Sequence, residues 1–214
     1  MLKQVLPGMW QWSWFSEEKK LDFNGLLLLV GEHRILVDPP PMAPEDVEQV
    51  KRLGQVDYIA VTNRDHVRES ATYRSEFRCQ LWFPEADASQ MDVKPDKTYK
   101  DGELLPGGIW VVHLRDQKSP GESALFIQQG PGKDASRRGG DGRVENGIMI
   151  VGDALLGKPA GSVSMLAAEK FADPHKAREG LRRLLKYNFD VLLVGDGASI
   201  FGGAKQAVET FLQA

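Results

Sequence analysis

The sequence predicts a mixed α/β protein, and two observations lead to this prediction. Short apolar runs of the length typical of buried strands alternate along the chain with segments that have the amphipathic pattern of helices. Four of these strands end at an acid, or run into a loop that carries one: Asp38, Asp65, Asp153 and Asp196. Because 214 residues are enough for one sizeable core, we expect residues 1–214 to form a single domain.

The composition is that of an ordinary globular protein, with a formal net charge of −3. So mild a charge gives no indication of a nucleic-acid partner or of an anionic membrane surface. The longest apolar run, residues 26–30, is far too short to span a bilayer, and residues 1–5 lack the apolar core of a signal peptide. Cys79 is the single cysteine, so no intrachain disulfide can form. We therefore expect a cytoplasmic protein with no nucleic-acid or membrane partner; its oligomeric state stays open.

The first half of the chain opens with predicted strands. Aromatic residues in partial alternation predict a strand over residues 9–15, and the apolar runs 25–30 and 35–37 predict a β-hairpin that ends at Asp38. A helix is predicted over residues 44–53, because a proline opens it, acids occupy its first turn and its apolar residues form one stripe. The elements that follow are a strand at 56–61, a helix at 69–78, a strand at 80–83 and a helical turn at 84–90.

The second half continues the mixture. A hairpin is predicted over residues 102–114 and strands over 123–128, 148–151 and 191–194. Helices are predicted over residues 174–187, with Asp173 as N-cap, and over 203–212. Residues 130–147 are rich in glycine and charge with almost no apolar side chains, so we expect a long, mobile hairpin loop that folding does not require.

A polar loop at residues 61–70 carries an acid, an imidazole and two guanidinium groups within a few positions. It follows the predicted strand 56–61 directly, and α/β proteins place binding and catalytic groups in such loops. Acids at neighbouring strand ends tend to converge on one cleft. We therefore predict one cleft lined by residues from the whole chain: Asp38, Asn63, Asp65, His66, Lys118, Asp153 and Asp196.

Five motifs in this order resemble the metallo-β-lactamase fold superfamily over roughly residues 20–212. They are a hairpin ending Leu36-Val37-Asp38, a strand running into the segment 62–68, the turn Lys118-Ser119-Pro120-Gly121, and the strand ends Gly152-Asp153 and Gly195-Asp196-Gly197. The resemblance implies a four-layer αββα sandwich, in which two mixed sheets face each other and helices lie outside. In that family, histidines and acids hold one or two metal ions, usually zinc or iron, which generate a hydroxide for hydrolysis.

The segment 62–68 departs from the family's Thr-His-x-His-x-Asp-His motif, and two alignments are possible. Without gaps, Asn63 and Asp65 stand at the first two histidines, Val67 at the aspartate and Arg68 at the last histidine. With a two-residue gap, Asp65 and His66 match the family's Asp-His pair. In either case, Lys118 replaces the histidine before Ser-Pro-Gly and Asp196 replaces the last one. Of the remaining motif positions, Asp38 and Asp153 match.

These substitutions lead to two hypotheses for function. In the first, Lys118 and Arg68 neutralise clustered carboxylates that a metal neutralises in the family, no cofactor is bound, and the protein is a binding or regulatory module for a small molecule. In the second, zinc or another divalent metal is held by Asp65, His66, Asp153 and Asp196, and the protein hydrolyses an ester, amide or phosphoester. The candidate catalytic residues are Asp65, His66 and Lys118; the candidate substrate-binding residues are Asn63, Arg68 and Asp38.

Overall fold

The computed structural model of the chain describes residues 1–128 and 146–214. Within them, twelve strands form two sheets. The seven-stranded sheet has the order β1 to β7: β1 Lys3–Leu6, β2 Met9–Ser16, β3 Leu21–Val30, β4 His33–Val37, β5 Tyr58–Ala60, β6 Gln80–Pro84 and β7 Lys97–Tyr99. The five-stranded sheet has the order β12-β11-β10-β9-β8: β8 Leu104–Leu105, β9 Ile109–His113, β10 Ser123–Ile127, β11 Gly147–Val151 and β12 Phe189–Val194.

Both sheets are mixed. Strands β1 to β4 pair antiparallel, and β4 to β7 pair parallel. In the second sheet, β8 to β11 pair antiparallel and β11 pairs parallel with β12. The carboxyl ends of parallel neighbours lie at the same sheet edge, which brings Asp38 close to the loop after β5, and Asp153 close to Asp196.

In the described part of the chain, five α-helices accompany the sheets: α1 Pro44–Leu53, α2 Ser70–Phe77, α3 Glu85–Ala88, α4 Pro174–Leu181 and α5 Ala204–Gln213. Short 3₁₀ helices occupy Arg64–His66, Ala168–Lys170 and Arg182–Lys186. Asp173 caps α4 as predicted, because its side chain accepts hydrogen bonds from the backbone N–H groups of His175 and Lys176. The predicted helix 174–187 changes to 3₁₀ geometry after Leu181. No helix among the described residues is long and apolar enough to cross a membrane.

The core has the layered arrangement expected of a sandwich. Alternate residues of both sheets form one buried cluster between them, which includes Met9, Leu28 and Ile35 from one sheet and Val111, Leu125 and Leu193 from the other. On the outer face of the first sheet, Val50 of α1 and Phe77 of α2 pack against strand residues. On the outer face of the second, Leu181 of α4 and Val208 of α5 do the same. The four-layer αββα prediction is therefore confirmed.

The two sheets are joined at the edge where the acid-bearing loops lie. The N–H of Asn24 in β3 donates to the carbonyl of Gly195 at 2.7 Å, and its side-chain amide donates to Val194 at 2.9 Å. The N–H of Ser123 in β10 donates to the carbonyl of Thr62 at 3.0 Å. The predicted loop 130–147 lies outside the described residues, apart from Asn146 and Gly147.

Candidate functional site

His66 is almost fully buried and lies at the centre of a group of charged side chains, which we call the strand-end cluster. Its members are Asp38, Asp65, His66, Arg68, Lys118, Asp153 and Asp196. It ends the 3₁₀ helix that follows β5, which begins with Asn63 accepting the N–H of Asp65 through its side-chain oxygen at 2.9 Å. One ring nitrogen, Nδ1, lies 2.9 Å from Asp38 Oδ2. The other, Nε2, lies 3.4 Å from Asp153 Oδ1 and 3.9 Å from Asp196 Oδ2. The imidazole therefore contacts carboxylates on both sides.

Asp38 fixes the position of His66 through its contact with Nδ1. Its backbone has a φ of +46°, an uncommon conformation for a residue other than glycine. Its carboxylate accepts hydrogen bonds from the N–H of Thr62 at 2.7 Å and from the Thr62 hydroxyl at 2.6 Å. Because Thr62 and His66 together satisfy this buried carboxylate, the position of the imidazole ring is tied to the end of β5.

Arg68 joins the two sheets through Asp196. Its Nη2 lies 2.6 Å from Asp196 Oδ1 and donates to the carbonyl of Gly195 at 3.2 Å. Its Nη1 donates to the carbonyls of Asn24 at 2.8 Å and Asp38 at 3.0 Å. The guanidinium also lies over the ring of Phe23, 4.7 Å from its centroid. Both Arg68 and Asp196 side chains are only 8% exposed.

Lys118 approaches the cluster from the loop after β9. Its Nζ lies 2.8 Å from Asp153 Oδ2 and 3.0 Å from Asp65 Oδ2. Asp153 is buried, whereas the side chains of Lys118 and Asp65 are 27% and 39% exposed. Lys118 and Asp65 therefore form the part of the cluster that solvent, or a ligand, can reach.

The loop that carries Lys118 is fixed by Asp87 in α3, a residue that the sequence did not single out. This fully buried carboxylate accepts hydrogen bonds from the Ser119 hydroxyl, from the N–H of Gly121 at 2.8 Å and from the N–H of Arg64 at 2.8 Å. It thereby ties the Lys118 loop to the loop of His66. No motif surrounds Asp87 in the sequence, so no signal in the sequence distinguishes it from other acids.

The contacts within the cluster shift the pKa values of several of its members. Burial and the neighbouring Arg68 charge lower the pKa of His66, but Asp38 and Asp153 outweigh them and raise the pKa to about 10. Burial raises the pKa of Asp153, yet hydrogen bonds and charge from His66 and Lys118 bring that pKa far below its ordinary range. Burial also raises the pKa of Asp196, against the opposing charges of His66 and Arg68. His66 is therefore an imidazolium at neutral pH.

Glu122 is a second buried acid that the sequence did not single out. Its Oε1 accepts the N–H of Ala154 at 3.1 Å, and burial together with the Asp153 charge holds its pKa well above the ordinary value. Glu122 Oε2 and Asn63 Nδ2 have no hydrogen-bond partner among the described residues. Both side chains lie beside Gly152, where a Cβ atom would stand 2.6 Å from Asn63 Nδ2 and 3.1 Å from Glu122 Oε1. Glu122 is thus a buried acid with a raised pKa beside the charged cluster.

The comparison with protein-family profiles identifies the family. A profile of the metallo-beta-lactamase superfamily matches residues 1–132, which is more than half of the chain. The chain belongs to this superfamily. A comparison with curated proteins finds no match.

Solved structures of metallo-β-lactamases and of a beta-lactamase domain protein have the same fold. The metallo-beta-lactamase from Pontibacter korlensis superposes with a TM-score of 0.72 at 13% identity, over 100% of this chain and 97% of the other. The DIM-1 metallo-beta-lactamase gives 0.70 at 10% identity, over 100% and 96%. A beta-lactamase domain protein from Burkholderia ambifaria gives 0.67 at 16% identity, over 98% and 74%. Identities this low show the fold alone.

The fold brings three of the sequence-predicted residues within reach of one metal ion, and the others contact these three or Lys118. Among the described residues, one group offers metal-donor atoms within 4.8 Å of one another, and it consists of His66, Asp153 and Asp196. Asp65, the fourth member of the predicted metal set, is not part of this group and contacts Lys118 instead. Asp38 contacts the far side of His66, and Arg68 contacts Asp196.

Proposed function

We propose that this metallo-β-lactamase-fold protein lacks the family's dinuclear metal centre and acts as a binding or regulatory module for a small molecule. The observation that carries the proposal is the pairing of each strand-end acid with a cation of the chain. Arg68 lies 2.6 Å from Asp196, and Lys118 lies 2.8 Å from Asp153. Clustered buried carboxylates repel one another unless positive charge is supplied. In this chain the positive charge comes from an arginine, a lysine and the protonated His66.

A metal ion fits these residues poorly. Arg68 Nη2 lies only 3.4 Å from His66 Nε2, the nitrogen that faces Asp153 and Asp196. A divalent ion bound by this group would stand beside a guanidinium, which stays protonated in proteins. Repulsion between the two cations opposes binding. No step of chemistry is therefore assigned to a metal.

The exposure of the side chains separates supporting residues from those that a ligand meets. Asp38 and Arg68 are buried and bonded within the protein, so we assign them a positioning role rather than direct ligand binding. Asn63 is buried as well. Lys118 and Asp65 are partly exposed and present one positive and one negative charge. A small molecule that approaches the cluster from solvent would meet this pair first.

Metal content tests the proposal directly. The protein is purified without an affinity tag or added metal, and its zinc, iron and manganese are measured before and after incubation with zinc and dialysis. We expect substoichiometric metal in both samples. Lys118→His restores the residue type of the family at this position and should retain zinc after dialysis. Lys100→His, at an exposed lysine outside the cluster, controls for an added histidine. Near-stoichiometric metal in the wild type would contradict the proposal.

One observation favours a second candidate function, a metal-dependent hydrolase. The donor atoms of His66, Asp153 and Asp196 lie within 4.8 Å of one another, which is compatible with three ligands of one ion. This candidate requires Arg68 to move away from Asp196. It predicts stoichiometric metal in the wild type, together with ester, amide or phosphoester hydrolysis that is lost in Asp153→Asn. A protein without metal that hydrolyses none of these substrates would exclude it.

A further inference from the structure

A cleft of roughly 600 Å³ lies outside the strand-end cluster. Its volume is within the range of about 300–1,000 Å³ that small-molecule sites occupy. Eight residues line it: Asp101, Arg115, Glu179, Gly180, Arg182, Arg183, Lys186 and Tyr187. None of them belongs to the strand-end cluster, so this cleft is independent of the proposed function.

Positive charge predominates in the cleft, although the chain as a whole carries a net charge of −3. Four lining residues are cationic and two are acidic. Both acids are already paired: Asp101 with Arg183 at 2.7 Å, and Glu179 with Arg182 at 2.9 Å. Among the described residues, Arg115 and Lys186 form no ion pair, so the lining keeps two uncompensated positive charges.

Local structure places these cations on the same side of the molecule. The 3₁₀ helix Arg182–Lys186 has three residues per turn, so Arg183 and Lys186 lie one above the other on the same side. Gly180 allows α4 to approach the loop of Arg115, because a Cβ atom there would stand 2.5 Å from the Arg115 carbonyl oxygen. Gln117 fixes the same approach by donating to the carbonyls of Arg115 at 3.0 Å and Ala177 at 2.8 Å.

We propose that this cleft binds the phosphoryl group of a small phosphorylated molecule between Arg115, Arg183 and Lys186. Guanidinium and ammonium groups are the usual protein partners of phosphate, and arginine matches its geometry with paired donors. A phosphoryl group carries close to two negative charges at neutral pH, which equals the uncompensated charge of the lining. The Tyr187 ring, packed on Phe126 at 4.9 Å between centroids, gives the cleft a rigid apolar wall for the rest of the ligand.

Calorimetric titration of the full chain tests this assignment, with inorganic phosphate, pyrophosphate and adenosine monophosphate as probes at constant ionic strength. We expect saturable binding of at least one probe at one site per chain. Lys186→Gln should weaken it about tenfold, the effect of losing one hydrogen bond to a charged group. Lys176→Gln removes the same charge from an exposed position of α4 outside the cleft and should leave the affinity unchanged.

The three probes also distinguish the source of the phosphoryl group. If the nucleotide binds more tightly than both inorganic anions, the ligand of the cleft is a phosphorylated organic molecule. If free phosphate binds as tightly as the nucleotide, the ligand is the anion itself. Absence of saturable binding for all three probes overturns the proposal. So does equal weakening in Lys186→Gln and Lys176→Gln, because it would mean a diffuse charge effect. Binding of a polyanion such as heparin without any of the three probes would replace the cleft by an extended basic surface.

Discussion

Arg68 is the residue on which the arrangement of the cluster most depends. It makes four polar contacts through two terminal nitrogens, to Asp196 and to the carbonyls of Asn24, Asp38 and Gly195, while its flat face covers Phe23. Lysine has a single terminal nitrogen, so it cannot replace the contacts that Arg68 makes through two nitrogens of one planar group. An arginine at this position therefore connects both sheets, in addition to balancing charge.

Removal of the Arg68 charge should strongly destabilise the fold. Arg68→Met leaves Asp196 buried without its cation, which costs on the order of 3–5 kcal/mol of unfolding free energy. Arg68→Lys should recover only part of this loss, because the carbonyl contacts are lost. Urea denaturation measures both variants. Arg52→Met, at an exposed arginine of α1, should change the free energy by less than about 0.5 kcal/mol. An equally mild effect at Arg68 would contradict its structural role.

Lys118 should contribute less than Arg68, because its ion pairs are partly exposed. We expect Lys118→Ala to cost about 1–3 kcal/mol at neutral pH, between the values for surface and buried pairs. The Lys118 charge lowers the pKa of Asp153, so the wild-type advantage is present above the ordinary aspartate pKa and shrinks as the pH falls below about 4. Denaturation at pH 7 and pH 3 checks the difference. Lys100→Ala is the control, and a Lys118 effect that grows toward acid pH would refute this explanation.

At the level of single residues, the sequence allowed the strand-end acids to be predicted, but not how they are paired. Asp153 and Asp196 follow apolar runs and a glycine, which is a pattern visible in one segment. Glu122 and Asp87 have no such pattern, because their burial depends on several segments that meet only in the folded chain. Arg68, for which we predict a role in substrate binding, makes polar contacts within the protein to Asn24 and Asp196.

Glycines at two strand ends allow the elements around the cluster to approach closely. Gly195 follows β12, and a Cβ atom there would stand 2.4 Å from His66 Cε1. Gly152 follows β11, and a Cβ atom there would stand 2.3 Å from Thr62 Oγ1. Neither glycine has the positive φ that would require glycine on backbone grounds alone. Their small size is therefore what lets β11 and β12 reach the loop after β5.

Gly195→Ala tests this close approach. The added methyl group would displace the His66 ring from its carboxylates, and overpacking of this kind typically costs about 1–3 kcal/mol. Gly202→Ala is a matched control, since its nearest contact would be at 4.0 Å and its φ is ordinary. We expect the control to be neutral or slightly stabilising. Thermal or urea denaturation measures both, and equal stability of the two variants would mean that the strand ends can separate freely.

At the level of elements, most strands and helices follow from local pattern, and the exceptions have physical reasons. The predicted helix 44–53 has the same bounds as α1, because proline, first-turn acids and an apolar stripe all agree. Strand β7 was not predicted, since it has three residues in a polar stretch and only Tyr99 is buried. The change to 3₁₀ geometry after Leu181 was not predicted either, because the apolar spacing continues through it.

On the scale of the whole molecule, a network of charges lies where the two sheets meet. Asp38 and Arg68 come from the seven-stranded sheet and its loops, whereas Asp153 and Asp196 come from the five-stranded sheet. His66 contacts acids from both. The stability of the sandwich should therefore depend on the protonation of this imidazole.

The free energy of unfolding should fall as the pH rises from about 6.5 toward 10. The pKa of His66 is about 10 in the folded protein and ordinarily 6.5, so the folded state keeps a proton that the unfolded chain has lost. This stabilisation is complete below about pH 6.5 and disappears as the pH passes through 10. Glu122 acts in the same sense, because its raised pKa also makes the folded state the better proton acceptor. The measurement is urea denaturation at pH 6, 7, 8 and 9.

Two histidine variants assign this pH dependence to its source. His66→Gln should be less stable at pH 6 and should lose much of the decline between pH 6 and 9, since no imidazolium remains to be stabilised by Asp38 and Asp153. His175→Gln, at an exposed position in the first turn of α4, should keep the wild-type slope. A wild-type stability that stays level or rises over this range would mean that His66 is neutral in the folded protein. The charge balance of the cluster would then require another cation, which is the condition under which a metal ion could bind.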